Sequence, residues 1–118
     1  MAEKDRLGRR GEAVAADWLE TLGYEIVARN WRCASGELDL IARRGRVIAF
    51  VEVKTRSSVE FGHPLEAITP EKAARLRRLA AQWCRAHGPI RGELRIDAIS
   101  VLDAWSATPS VEHRAGVA

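Results

Sequence analysis

The sequence is poor in the features that mark secreted, membrane-spanning or zinc-caging proteins. It has two cysteines, Cys33 and Cys84, and neither stands in a CxxC or Cys/His spacing, which argues against both a structural zinc site and a disulfide framework. Both thiols read as packing residues. No apolar run approaches the roughly 20 residues that cross a bilayer. The opening MAEKDRLGRRGEAVAADW carries positive charge with no apolar stretch behind it, so the expectation is a cytoplasmic protein without membrane association. Repeats, linkers and low-complexity tracts are also missing, and 118 residues suit one core rather than two.

A strong excess of one charge is absent as well. The formal net charge is only +3, but the charges are unevenly placed. Between Lys72 and Gly92 there are six Lys or Arg and no acid, and residues 43 to 56 carry five Lys or Arg against Glu52 alone. Such stretches suit a polyanionic partner.

What is present is a legible order of elements. Leu7, Gly11, Val14, Trp18, Leu19 and Leu22 recur at helical spacing and predict a helix over 6–22, closed by Gly23. YEIVARNWR (24–32) is rich in aromatic and β-branched residues and predicts a strand. GELDLIARRGRVIAFVEVKT predicts two further strands, 37–43 and 47–55, around a short turn. A loop follows over 57–68, with Gly62, His63 and Pro64. Thr69 as N-cap and Pro70 at the first helical position open a helix over 70–87, with Ala73, Leu76, Leu79, Ala80 and Trp83 inward. ELRIDAISVL (93–102) predicts a last strand. The expected fold is α/β, a central mixed β-sheet flanked by helices, order α-β-β-β-α-β, with one domain over 1–102 and a flexible tail over 103–118.

Asp39, Glu52 and Lys54 interrupt strands that otherwise read as buried. In a hairpin closed by an even number of residues, Asp39 and Glu52 project from one face. A turn at Gly45-Arg46 sets them directly opposite, and one at Arg44-Gly45 makes them diagonal neighbours. On this reading Leu38, Leu40 and Ala42 share the other face with Val47, Ala49, Val51 and Val53, while Ile41, Ile48 and Phe50 accompany Asp39. Strands covered on both sides are central, and two carboxylates there are costly unless a cation neutralises them. The competing arrangement is an internal Lys54 to Glu52 ion pair with Asp39 capping a neighbouring backbone group. Paired carboxylates on adjacent strands suit Mg²⁺, with Mn²⁺ as a substitute, and Lys54 can orient or deprotonate an attacking water and steady a pentacovalent phosphate.

Asp39, twelve residues, then Glu52-Val53-Lys54 resembles the signature of the PD-(D/E)xK nuclease superfamily, which includes archaeal-type Holliday-junction resolvases. Together with GRRGEAVAADWLETLGYEIVARNWR, GELDLIA, FVEVKTR, FGHPLEAI and RIDAISV, the sequence is similar to the small bacterial YraN-like family from Gly8 to Val101. Leu38 stands where the superfamily usually has Pro. The resemblance implies a restriction-endonuclease-like core, Asp39 and Glu52 as metal ligands with the Val53 carbonyl as a further ligand, Lys54 as the catalytic lysine, and Glu12 as an additional catalytic acid. It implies hydrolysis of branched or structured DNA, for which a homodimer would match the two-fold symmetry of a four-way junction. Arg9, Arg10, Arg32, Arg56, Lys72, Arg75 and Arg78 are the candidate phosphate contacts. A DNA-binding or scaffold protein that retains the site without turnover is the rival class. Asp97 reads as structural or as support for the site, and Trp18, Trp31 and Trp83 as core.

Overall fold

A computed structural model describes residues 3–56, 68–88 and 90–118, so the loop expected around His63 lies outside the described residues. Helix α1 (Glu3–Thr21) forms because Gly11, Val14, Ala15, Ala16 and Leu19 fall on one buried stripe. It ends at Gly23, whose φ of 89° suits glycine. The Tyr24 N–H donates to the Leu19 carbonyl and the Gly23 N–H to that of Glu20, both at 3.0 Å, the paired bonds of a Schellman cap.

Strands β1 (Glu25–Cys33), β2 (Gly36–Arg44) and β3 (Val47–Arg56) follow as an antiparallel meander. Helix α2 (Pro70–Ala86) is N-capped by Thr69, whose hydroxyl accepts from the Lys72 N–H at 3.1 Å, and it crosses over to β4 (Glu93–Leu102), which pairs parallel with β3. The sheet is five-stranded, in the order β1-β2-β3-β4-β5. The fold is α/β, a mixed sheet with one helix on each face. Leu40, Ala42, Ala49, Val51, Ile99 and Val101 pack with α1, while Ile41, Ile48, Phe50 and Ile96 pack with Leu76, Leu79 and Trp83 of α2. Among the described residues no helix is long and apolar enough to cross a membrane.

Two expectations need correction. The tail over 103–118 was expected to be flexible, but Ser110–Arg114 forms β5, antiparallel to β4 from Leu102↔Ser110 to Ala98↔Arg114, so the order is α-β-β-β-α-β-β. The cause is Asp97, fully buried on β4 and unable to reach water. Arg95 donates to it twice, at 2.8 and 2.9 Å, and the tail supplies His113 Nε2 at 2.8 Å and the Gly116 N–H at 3.1 Å. A buried carboxylate needs these partners, so it orders the tail.

The second correction concerns Leu38, expected on the face of Leu40. It packs instead with Ile41, Phe50 and α2. The β1–β2 register is unchanged from Arg29↔Leu40 to Trp31↔Leu38, which sets Asn30 opposite Asp39, and it shifts only between Ile26 and Ala28. Asn30 has φ 50°, a left-handed conformation that breaks side-chain alternation locally. Trp31 accordingly joins Leu38 on the α2 side.

Candidate functional site

The β2–β3 register, Arg44↔Val47 to Leu40↔Val51, shows that the turn is Gly45-Arg46, with Gly45 at φ 59°. Continued by one step it sets Asp39 across from Glu52. Just past the last paired position, the Val53 N–H donates to Asp39 Oδ2 at 2.8 Å. Asp39 therefore caps a backbone group, as the competing arrangement anticipated. Glu52 has an ion pair too, but with Lys72 Nζ of α2 at 3.1 Å rather than with Lys54, which is exposed on β3.

The surroundings of Asp39 are acidic. Burial, and then the nearby charges of Glu52, Glu12 and Glu37, push its carboxyl up to about 7 against the bond from Val53. Among the described residues no cation pairs with it. Glu12 is also raised, by burial first and by Glu37 and Glu52, despite a hydrogen bond from Asn30. Gly11 brings Glu12 this close, because any Cβ at position 11 would collide with the Thr55 side chain of β3.

Asn30 is a residue that sequence reasoning missed. Its amide donates to Glu12 Oε1 at 2.8 Å and to Glu37 Oε1 at 3.0 Å, so one neutral group bridges two acids. The available signal was an Asn in the middle of a β-rich run, where it is a poor strand former but tolerates positive φ.

Glu12 stands between two openings. A cleft of about 610 Å³ is lined by Asp5, Gly8, Arg9, Glu12, Asn30, Arg32 and Glu37. A neighbouring cavity brings Glu12 together with Val53, Lys54, Thr55 and Arg56. The structure thus gathers Glu12, Asp39 and Glu52 electrostatically, and Lys54 shares a cavity with Glu12. Among the described residues no group of three or more His, Cys, Asp or Glu side chains is placed to hold a metal by itself. A cation held here would draw on two carboxylates, with water and phosphate completing its shell, as suits Mg²⁺.

The seven expected phosphate contacts do not form a single patch. Arg9 and Arg32 line the cleft, and Arg32 sits 3.4 Å from Glu37 while remaining 75% exposed. Arg10 Nε donates to the Ala104 carbonyl at 2.9 Å, and Lys72 pairs with Glu52. Arg75 and Arg78 are exposed on α2, across the sheet from α1. Arg56 lines the Lys54 cavity. Trp83 is core, and Trp18 and Trp31 are partly buried against the two clusters, as expected.

Comparison with other proteins addresses the family. A UPF0102 protein of Leifsonia xyli subsp. xyli is 65% identical over 117 residues, covering 99% of each chain. One from Beutenbergia cavernae is 56% identical over 99% of each chain. One from Paenarthrobacter aurescens is 50% identical over 99% of this chain and 97% of its own. The profile described as Uncharacterised protein family UPF0102 matches residues 11–101, which include Glu12, Asn30, Asp39, Glu52 and Lys54. With most of its length matched at these identities, and in keeping with the YraN-like resemblance of its motifs, the chain belongs to the UPF0102 family.

Proposed function

We propose that this protein is a Mg²⁺- or Mn²⁺-dependent endonuclease of PD-(D/E)xK type, hydrolysing phosphodiester bonds in branched or structured DNA. One observation carries the reading: Asp39 is partly buried among Glu52, Glu12 and Glu37, held by a single backbone N–H and raised to about 7. A carboxyl held among like charges, with no protein cation beside it among the described residues, offers a place for a cation. Asp39 and Glu52, with the Val53 carbonyl, would hold the ion. When bound, it supplies Lewis-acid stabilisation of charge developing on the phosphate.

The chain's own residues do the rest. Lys54, exposed beside the carboxylates, orients the attacking water or steadies the phosphate. Glu12, whose raised affinity for protons follows from burial, sits where it can accept one. Arg9 and Arg32 line the cleft and bind flanking phosphates, and a homodimer would present two such sites to a four-way junction.

A second reading, DNA binding without turnover, draws on the Lys72–Glu52 pair, which neutralises one of the two ligands without any metal. Labelled linear, flap, fork and four-way DNA incubated with Mg²⁺ or Mn²⁺ separates the two. The nuclease reading expects cleavage of branched substrates, abolished in Asp39→Asn and slowed on the order of 10²-fold or more in Lys54→Ala. Cleavage that survives both substitutions belongs to a contaminant and sinks it. Salt-sensitive binding with no cleavage by any substrate and metal pairing leaves the binding reading.

A further inference from the structure

Two of the acids around Asp39 have a basic partner, and the two pairs differ in kind. Arg32 sits 3.4 Å from Glu37, with the arginine 75% exposed. Glu52 takes its cation from a separate element: Lys72 Nζ of α2 lies 3.1 Å from Glu52 Oε1, and the two side chains are only 29% and 20% exposed. Glu52 is also one of the two carboxylates proposed to hold the ion. The better enclosed pair therefore places a lysine on a ligand.

That pair is not what holds α2 in place. Ala73, Leu76, Leu79, Ala80 and Trp83 of the helix are buried, and Ile68 just before it packs against the cluster that contains Phe50. A partly exposed lysine pair adds little to such packing. Lys72 stands in the first turn, at the positive end of the helix dipole, where an acid is favoured and a cation is not. What its position does secure is a positive charge on Glu52. The Lys72 N–H donates to Thr69 Oγ1 at 3.1 Å, which fixes the backbone from which the side chain springs. Leaving Glu52 then requires only that a flexible four-carbon stem turn, with no movement of the helix. A lysine and a divalent ion on one carboxylate repel each other at close range, so each weakens the hold of the other.

We infer that Lys72 is a built-in competitor for the ion site: it holds Glu52 as a tethered counter-ion and gives the carboxylate up when a divalent cation binds. The inference rests on the proposed use of Asp39 and Glu52 as ligands, and it adds how that use is restrained. The apparent affinity for the ion is lowered in proportion to the fraction of molecules in which Lys72 has left Glu52. Lys72, read from the sequence as a phosphate contact, thus acts first on the protein's own acid.

The test is Mn²⁺ binding to the full chain at constant pH and ionic strength, followed by the electron paramagnetic resonance of free Mn²⁺. Lys72→Met keeps an unbranched stem and removes the charge. It should bind Mn²⁺ about tenfold more tightly than the parent, within the usual range of coupling between two ligands. Lys72→Arg should bind no more tightly than the parent, and Arg77→Met, which removes an exposed charge from the same helix, should leave the affinity unchanged. The gain has to run through Glu52, so Glu52→Gln and the double variant Glu52→Gln/Lys72→Met should share one weak affinity. Equal affinities for parent and Lys72→Met overturn the inference, as does weaker binding by the variant, which would make Lys72 a support of the site. A gain of the same size in Arg77→Met, or one that persists on top of Glu52→Gln, overturns it by showing a general effect of charge. A Lys72→Met chain that fails to fold in chelator, read by circular dichroism, also overturns it, because the pair would then be holding α2. Where the parent cleaves DNA with Mn²⁺ and Lys72→Met binds the ion no better, the competitor alone falls. Where no variant binds Mn²⁺, the ligand assignment falls and takes the competitor with it.

Discussion

Two carboxylates on the strands either side of β3 have opposite fates. Asp97, on β4, is fully buried yet held down to about 2, because hydrogen bonds from His113, Arg95 and the Gly116 N–H outweigh the upward push of burial. Asp39, on β2, is less enclosed yet raised to about 7, because burial and three acidic neighbours oppose one N–H. Depth therefore does not decide ionisation. The partners do, and a carboxylate whose partners are all internal stays ionised, whereas one surrounded by like charge holds its proton to higher pH.

The largest effect should come from breaking the satisfied partner set. Asp97→Asn leaves the partly buried Arg95 without its counter-charge and loosens the tail, so urea unfolding should show a loss of about 3 kcal/mol. The pH dependence follows from the same depression. The stability that ionised Asp97 contributes is complete above its ordinary value near 3.8 and disappears as pH falls towards about 2, so the parent should weaken over that window while the variant does not. Similar stabilities for the two at pH 7 would erase the contrast between the sites.

Asp39→Asn should act with the opposite sign. A carboxyl raised in the fold costs nothing below its ordinary value near 3.8 and progressively more as pH climbs to about 7. The variant should therefore be the more stable by on the order of 1–3 kcal/mol above pH 7 in chelator, with the two denaturation curves converging near pH 4. Mn²⁺ should raise the melting temperature of the parent and leave that of the variant unchanged. A variant less stable than the parent at pH 8 would make Asp39 a second structural carboxylate.

The smallest effect concerns Asn30, which separates backbone from side chain. Asn30→Gly and Asn30→Ala both remove the amide bridge between Glu12 and Glu37, but only Ala is forced into φ 50°. Gly should be the more stable of the two by about 1 kcal/mol, read from denaturant midpoints. If they match, the local break in side-chain alternation at Asn30 does not depend on its left-handed conformation.

The sequence displays the helices and strands clearly because each rests on local signals: the α1 stripe and Gly23, the Thr69-Pro70 start of α2, and the apolar runs of β2 to β4. Asp39 and Glu52 were visible for a related reason, since charges within apolar runs need an account wherever they lie. Asn30, β5 and the Lys72–Glu52 pair were not visible in this way. Each depends on residues brought together from separate elements, and no local pattern encodes which cation an acid will meet.

Chain order and hydrophobic period by themselves determined a mixed α/β sheet and the hairpin that brings Asp39 towards Glu52, and sequence similarity showed a family whose matched segment carries these residues. Only the tertiary structure decided which carboxylate is satisfied. Asp97 and Asp39 both sit inside strands, but the tail delivers His113 and Gly116 to one, and α1, through the close approach at Gly11, delivers Glu12 to the other. The energy of a buried charge is set by neighbours within a few ångströms, and those neighbours are fixed by packing rather than by their distance along the chain.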